Sequence, residues 1–311
     1  METVTTALGG TLIAQAGFRQ RMGPVATVAL TVSAAAPDLD GLARFGDTAF
    51  YLAHHRGITH SFVGGAVLAL LLGAIFYRFS PYKHYWRLSA ICYLGILFHI
   101  VTDLYTSYGT QVFLPFTGRR FAWDILFIID PFFAGIIVWG VVSAYWWRSR
   151  SIQMGRIALI LLGGYVLVAA LGHQIALARV HDRAEREGLA ATNLAVFPRP
   201  FSPLRWSGVV ATENATYQTF FSLLDRQDRP FRVYHFPRDS SFLRQAEQVE
   251  VVALFLDFAR FPVVTVRQET YGPVVEYFDL QFGRIEGRRP FLLEVAFDQN
   301  GKLRSAGFVR R

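Results

Sequence analysis

The sequence predicts a membrane α-helical bundle of about five to six apolar helices, the first one or two of them short, followed by a small soluble α+β domain. Of the 311 residues, 52% are hydrophobic, and the mean hydropathy of +0.30 is too high for an ordinary soluble protein. The apolar residues are concentrated before about residue 178, and short strand-like segments follow. We therefore predict a membrane domain over residues 1–178, a linker over 179–205 and an extramembrane domain over 206–311.

Six apolar runs define the expected helices. A span of the hydrocarbon core needs about 20 apolar residues, so the first two runs are expected to cross only partly. The later runs are long enough to cross. In chain order, the runs cover residues 4–18, 22–36, 62–79, 88–105, 125–147 and 157–177.

The formal net charge of +8 arises largely from Lys and Arg in short loops between the apolar runs and in the C-terminal third. Anionic lipid headgroups and control of topology explain this placement better than a nucleic-acid surface does. We therefore expect membrane lipid as a partner and no nucleic acid. If all six runs cross, one side holds eight of these cations and the other holds four before residue 178. The positive-inside rule then makes the first side cytoplasmic in a bacterial inner membrane and the second periplasmic.

Residues 54–61 (HHRGITHS) contain three imidazoles, a guanidinium and two hydroxyls immediately before an apolar run. Such a cluster is costly to desolvate, so it must stay hydrated, find partners or bind a ligand. The predicted topology also places Asp38, Asp40, His99, Asp103 and Asp124 at the same ends of their runs. We therefore predict one site on the periplasmic face, beside the C-terminal domain.

The residue types predict a site for one or two divalent metal ions. His99 and Asp103 are four positions apart and share one helix face, and mixed nitrogen and oxygen ligation suits Zn or Mn. Asp38 and Asp40 repel each other unless a cation or a proton lies between them. His60 completes the predicted ligand set. The alternatives are a His99 bonded to its own helix-end carboxylate, a helix-capping loop at Asp38 and Asp40, and a simple cap at His60.

Other charged residues at the ends of the apolar runs each have two interpretations. Arg56, and also Arg119 or Arg120, can bind a phosphate or carboxylate with two hydrogen bonds; each can instead be a topology anchor. Asp124 can cap the next helix. Asp130 lies within an apolar run, where a carboxylate is a functional or structural hypothesis by default, and we interpret it as a structural partner of the site.

These segments resemble the YdjM-like family of predicted membrane-bound, metal-dependent hydrolases of bacteria and archaea. The resemblance covers about residues 1–180. The matching segments are residues 37–40 (PDLD), 54–61 (HHRGITHS), 99–103 (HIVTD) with 106–110 (TSYGT), and 121–124 (FAWD) leading to 128–131 (IIDP). The family usually has a Thr-His pair before its first Gly-containing helix, whereas this chain has Thr5-Thr6. If that histidine is a ligand, this chain lacks one.

The leading hypothesis is a membrane-embedded hydrolase in which a metal-activated water attacks an ester or phosphoester of a lipid or lipid-linked substrate at the headgroup level. His54 or Asp124 would accept the proton of that water, and Arg56 would hold an anionic group. Two alternatives remain. One is a non-catalytic membrane protein with a structural or lipid-binding cluster, and the other is an ion-coupled transporter using Asp130 and His173.

Overall fold

The computed structural model describes residues 1–45, 47–237, 241–283 and 289–309, with the backbone alone at 42–45. The chain divides into two compact units. The first consists of Met1–Ala43, His54–Gly172 and Pro198–Pro203, and the second of Arg44–Ala53, His173–Phe197 and Leu204–Arg311.

The part of the chain before residue 187 is helical. Its α-helices are α1 (Thr3–Ile13), α2 (Arg19–Met22), α3 (Pro24–Ala35), α4 (Thr48–His54), α5 (Phe62–Phe79), α6 (Tyr85–Leu104), α7 (Pro131–Trp146) and α8 (Ser151–Arg186). A π-helical segment, Ala14–Phe18, joins α1 to α2. Two short 3-10 helices, Ala36–Phe45 and Ile58–His60, follow α3 and precede α5.

Within the described residues, three helical segments are long and apolar enough to cross a membrane, namely α5, α6 and the segment Arg148–Arg186 that contains α8. The described residues therefore support three spans, and not the six crossings that were assumed for the side assignment. Helices α1 and α3 have 11 and 12 residues, which is about 17–18 Å at 1.5 Å per residue, against a hydrocarbon core of about 30 Å. The side assignment derived from six crossings stays a prediction.

The fifth apolar run is also shorter as a helix than its sequence predicts. Helix α7 begins only at Pro131 and has 16 residues. Pro131 has no amide hydrogen and is well suited to the first helical position. The Asp130 carboxylate accepts hydrogen bonds from the amides of Phe132 and Phe133, which sets the start of the helix at this point.

Close packing of α1, α3 and α6 depends on small residues. A Cβ atom at Gly10 would lie 2.3 Å from the carbonyl oxygen of Leu30, and one at Gly95 would lie 2.2 Å from the Ser33 hydroxyl. Glycine therefore allows the backbones of these helices to approach closely. The consequence is that the C-terminal end of α3 lies beside α6, which carries His99.

The second unit contains two four-stranded antiparallel sheets, and the predicted order of a helical part followed by a β domain is confirmed. Helices α9 and α10 lie between the sheets in sequence. The strands are β1 (Asn193–Pro198), β2 (Arg205–Ala211), β3 (Ala215–Ser222), β4 (Arg232–His235), β5 (Pro262–Glu269), β6 (Gly272–Asp279), β7 (Leu292–Phe297) and β8 (Leu303–Val309), and the helices are α9 (Ser241–Glu247) and α10 (Glu250–Phe258). Each sheet has its strands in chain order.

The two sheets share one apolar core, which includes Val209 of β2 and Phe278 of β6. A second core lies between the second sheet and α10, where Phe255 packs with Tyr277. The end of α8 packs on the first sheet, as α10 packs on the second. A helix followed by four antiparallel strands thus occurs twice in this unit.

Residues 179–205, predicted as a linker, contain the end of α8 and strand β1. Ala176, Val180 and Ala184 recur every four residues and are buried against Trp206. This apolar stripe stabilises the helix through a segment whose other faces carry charged residues such as Asp182.

Candidate metal centre

Three segments of the first unit bring four ligand-type side chains together. Asp38 lies in the 3-10 helix after α3, and His60 lies in the 3-10 helix before α5. His99 and Asp103 lie one turn apart on α6. The side chains of His60, His99 and Asp103 are completely buried, whereas that of Asp38 is 14% exposed.

The ligand atoms are spaced as a single metal ion requires. Asp38 Oδ1 lies 3.6 Å from His60 Nε2 and 3.5 Å from His99 Nε2. The two Nε2 atoms are 3.1 Å apart, and Asp103 Oδ2 lies 3.3 and 3.5 Å from them. Four ligands at about 2.0–2.1 Å from a tetrahedral zinc ion lie about 3.3–3.4 Å from one another. Asp38, His60 and His99 therefore form a group that could hold a metal ion, and Asp103 supplies a fourth atom at the same spacing.

The protonation of the two imidazoles favours a cation between them. His99 Nδ1 lies 2.6 Å from the carbonyl oxygen of Ala34. A carbonyl only accepts, so Nδ1 carries the hydrogen and a neutral His99 presents a lone pair at Nε2. The same holds for His60, whose Nδ1 lies 3.1 Å from Asp40 Oδ2. The buried Asp103 Oδ2 accepts no hydrogen bond from the residues that the structure describes, so three electron-rich atoms converge when both rings are neutral.

Asp40, predicted as a ligand, acts on His60 from outside this four-atom group. Besides His60 Nδ1, its carboxylate accepts hydrogen bonds from the Arg56 amide at 3.1 Å and the Thr59 hydroxyl at 2.9 Å. Such a carboxylate fixes the tautomer and orientation of a ligand histidine. Asp40 also belongs with Asp38 and His55 to a second group that could hold an ion.

Both carboxyl groups of this loop are held in the ionised form. Burial alone would raise the pKa of Asp38 and of Asp40. Donation from the Nε2 atoms of His60 and His99, which occurs only while these rings hold a proton in place of a metal ion, outweighs burial at Asp38. Hydrogen bonds from His55 and His60 outweigh burial at Asp40. The pKa of each carboxyl therefore lies well below its ordinary value, which keeps both groups ready to bind a cation.

The structure brings His55 to this cluster. His55 Nδ1 lies 2.8 Å from Asp40 Oδ1, and burial lowers the pKa of this imidazole despite the nearby carboxylate. His54 is exposed at the C-terminal end of α4. His54 and His55 are adjacent in one motif, and the sequence does not show which of the two faces the cluster. His55 was therefore not predicted. The proposed catalytic role of His54 stays a prediction.

The guanidinium of Arg56 positions Asp103. Arg56 Nη2 lies 3.0 Å from Asp103 Oδ1, and Nη1 lies 2.8 Å from the Thr106 hydroxyl. The group is buried and lies over the Tyr108 ring. The amino group of Met1 also contacts Asp103 Oδ1. Arg56 thus leaves Oδ2 of Asp103 directed at the histidines, and its predicted role in holding an anionic substrate stays a prediction.

The loop after α6 contains the third predicted catalytic residue, Asp124. This residue is buried and has a left-handed backbone with φ 56°. Its neighbours Trp123 and Ile125 donate backbone hydrogen bonds to the carbonyls of Leu104 and Tyr105 at the end of α6. Asp124 is not the cap of α7, because Asp130 has that role. Its catalytic role stays a prediction.

The carboxylate of Asp130 makes its hydrogen bonds away from the four-atom group. In addition to capping α7, its two carboxylate oxygens each lie 2.9 Å from the Tyr165 hydroxyl. This bond joins α7 to α8, so the structure assigns Asp130 a helix-joining contact. Of the predicted arginines, Arg119 is exposed, whereas Arg120 donates to the backbone carbonyls of His55 and Gly109.

Thr6 stands where the family pattern implies a histidine. Its side chain is completely buried, and its hydroxyl donates to the Thr3 carbonyl at 2.9 Å. The Thr3 hydroxyl in turn donates to Asp38 Oδ2. The four-atom group therefore forms without any contribution from residue 6.

Comparisons with known proteins agree with this architecture. A family model described as "YdjM inner membrane protein" matches residues 1–176, which include every residue of the metal centre. The chain is also 27% identical over 316 residues to the "Uncharacterized protein YfhP" of Bacillus subtilis (strain 168), covering 96% of this chain and 90% of that protein. No solved structure matches the chain.

Proposed function

Because this chain belongs to the YdjM inner membrane protein family, we propose that it is a membrane-embedded, metal-dependent hydrolase. The proposed substrate is an ester or phosphoester of a lipid or lipid-linked molecule, cleaved at the headgroup level on the periplasmic side. Three segments long enough to span a membrane support the location. The observation that carries the proposal is the four-atom group of Asp38, His60, His99 and Asp103.

The charges of the cluster fit one divalent cation. Its side chains include the three carboxylates of Asp38, Asp40 and Asp103 and one guanidinium, that of Arg56. With neutral imidazoles these side chains sum to two negative charges. The Met1 amino group on Asp103 adds one positive charge when it is protonated, and burial lowers its pKa. The cluster is therefore net negative, and buried charges need compensation. Two nitrogen and two oxygen ligands suit Zn or Mn.

The residues around this group would have different roles in hydrolysis. A divalent ion supplies Lewis acidity, which lowers the pKa of a water molecule and polarises an ester or phosphoester oxygen. Asp40 orients His60, and Arg56 orients Asp103. His55 donates from Nδ1 to Asp40, so its neutral ring could accept a proton at Nε2. His55 thereby joins His54 and Asp124 as a proposed general base.

One observation favours a second candidate, a non-catalytic protein stabilised by metal. Structural zinc sites use four protein ligands, whereas catalytic sites use three and leave one position for water. Four protein atoms converge in this structure. Hydrolysis therefore requires water to enter at the side of Asp38, the one partly exposed member of the four, as a fifth ligand or in place of its carboxylate.

Elemental mass spectrometry of the detergent-purified protein tests the proposal. We expect about one zinc or manganese per chain in the wild type and loss of that metal in His99→Ala and Asp103→Ala. The matched control is His84→Ala, because His84 is an exposed histidine outside the cluster. Absence of metal from the wild type, even after addition of Zn or Mn, would contradict the metal centre. Bound metal without cleavage of any lipid ester or phosphoester would support the second candidate.

A further inference from the structure

Three exposed aliphatic side chains belong to the segments that form the polar metal centre. Val4 is 65% exposed, Leu39 is 63% exposed and Ile58 is 53% exposed. They come from three different segments, namely α1, the 3-10 helix after α3 and the 3-10 helix before α5. Exposed aliphatic side chains on the segments of a polar site suit an interaction with an apolar group.

Each of the three is a sequence neighbour of a residue bonded to the centre. Val4 follows Thr3, whose hydroxyl donates to Asp38. Leu39 lies between Asp38 and Asp40. Ile58 precedes Thr59, whose hydroxyl donates to Asp40 at 2.9 Å. The same short backbone segments therefore hold the carboxylates and present the aliphatic side chains.

The partly exposed edge of the centre lies in these same segments. The side chains of Asp38 and Asp40 are 14% and 13% exposed, whereas the members on α6 are completely buried. A ligand that reaches the centre at these carboxylates therefore meets the segments that carry Leu39 and Ile58.

Apolar surface continues from these segments into a membrane-spanning helix. Helix α5 begins at Phe62, four residues after Ile58. Its side chains Val63, Val67 and Leu71 are exposed, as expected for a helix surrounded by lipid. The hydrocarbon of a membrane that surrounds α5 would therefore be the apolar partner closest in the chain to these segments.

We propose that Val4, Leu39 and Ile58, here called the apolar rim, hold the hydrocarbon chains of a membrane phospholipid whose phosphate lies at the metal centre. This inference rests on the proposed function, and it names the residues that select lipid substrates. A water-soluble phosphoester would gain nothing from the rim. A lipid would bury both its own chain and the side chains of the rim.

The test compares two probes with the same headgroup, dioctanoyl phosphatidic acid and glycerol 3-phosphate, on the zinc-loaded, detergent-purified full chain. We expect the wild type to bind the lipid at least about tenfold more tightly. Leu39→Asn with Ile58→Asn should weaken lipid binding by about tenfold or more, because burial of one aliphatic side chain changes an affinity by about tenfold. Binding of glycerol 3-phosphate should be far less affected. Leu224→Asn is the matched control, since Leu224 is a 76% exposed leucine of the second unit.

Zinc content, measured on every sample, separates the two proposals. If zinc is bound but the wild type binds the two probes equally or binds neither, the rim is wrong and the metal centre stands. The rim is also wrong if the double variant retains the preference for lipid. A wild type without zinc overturns the metal centre and the rim together. If the double variant does not fold, Val4→Asn gives the same comparison. Wild type and variants are measured with the same lipid, so partition of that lipid into detergent affects them equally.

Discussion

His60 and His99 face each other through their Nε2 atoms, 3.1 Å apart, although 39 positions separate them in the chain. Each ring donates from its other nitrogen, His60 toward Asp40 and His99 to the carbonyl of Ala34. Two lone pairs directed at each other are unfavourable unless a cation or a proton lies between them.

Asp40→Asn should weaken zinc binding by about 10–100-fold without abolishing it, because the carboxylate orients His60 from outside the four-atom group. Competition with a chelator of known affinity measures the effect. His99→Ala provides the reference for the loss of a ligand. A loss as large as in His99→Ala would show that Asp40 binds the metal directly, as its sequence context predicts.

Arg56→Met should destabilise the metal-free protein by about 3–5 kcal/mol, the usual cost of removing one partner of a buried ion pair. The change leaves the Asp103 carboxylate without its guanidinium in a fully buried position. Zinc should recover part of the loss. Chemical denaturation in detergent, with and without zinc, measures both effects. Equal stability of variant and wild type would show that Arg56 does not balance the charge of Asp103.

Tyr165→Phe should lower stability by about 1 kcal/mol, the typical value of one hydrogen bond, and leave the zinc content unchanged. The Tyr165 hydroxyl bonds Asp130 between α7 and α8, away from the four-atom group. Thermal unfolding and elemental analysis of the same preparations give the two readouts. A loss of zinc, or a phenotype confined to ion transport, would contradict the helix-joining role and revive the transporter hypothesis.

The second unit should become less stable as pH rises from about 4 to about 6. Burial raises the pKa of Asp279 to about 6, although it accepts hydrogen bonds from the amides of Arg260, Phe261 and Gln281. Between the unfolded and folded pKa values the native state binds the additional proton, so the stabilising contribution of Asp279 is fully present only below about pH 4. About 3 kcal/mol is lost as pH rises through the folded pKa.

Hydrogen exchange of strands β5 and β6 in the full chain measures this slope, with Asp279→Asn as the reference at each pH. The difference between wild type and variant should change across the pH window, because the asparagine does not titrate. A difference that is constant from pH 4 to 7 would show that Asp279 has an ordinary pKa.

The local features of the site were predictable because they depend on short-range geometry. His99 and Asp103 are four residues apart, so any helix over this run places them on one face. Long apolar runs likewise identified the helical part, and alternating segments identified the β-rich part. The set Asp38, Asp40, His60, His99 and Asp103 was predicted from boundary positions. The structure brings four of them together and places Asp40 on His60.

The sequence by itself thus determined that the chain has an apolar helical part with a cluster of histidines and aspartates, followed by a β domain. Only the tertiary structure decided that three helical segments are long enough to span, because the caps and turns at the helix ends set the lengths of the others. It also decided that Asp38 joins the four-atom group while Asp40 orients His60, and that His55 contacts the cluster. Which of two neighbouring side chains faces the cluster depends on the local backbone conformation. Packing between segments that are distant in the sequence sets that conformation.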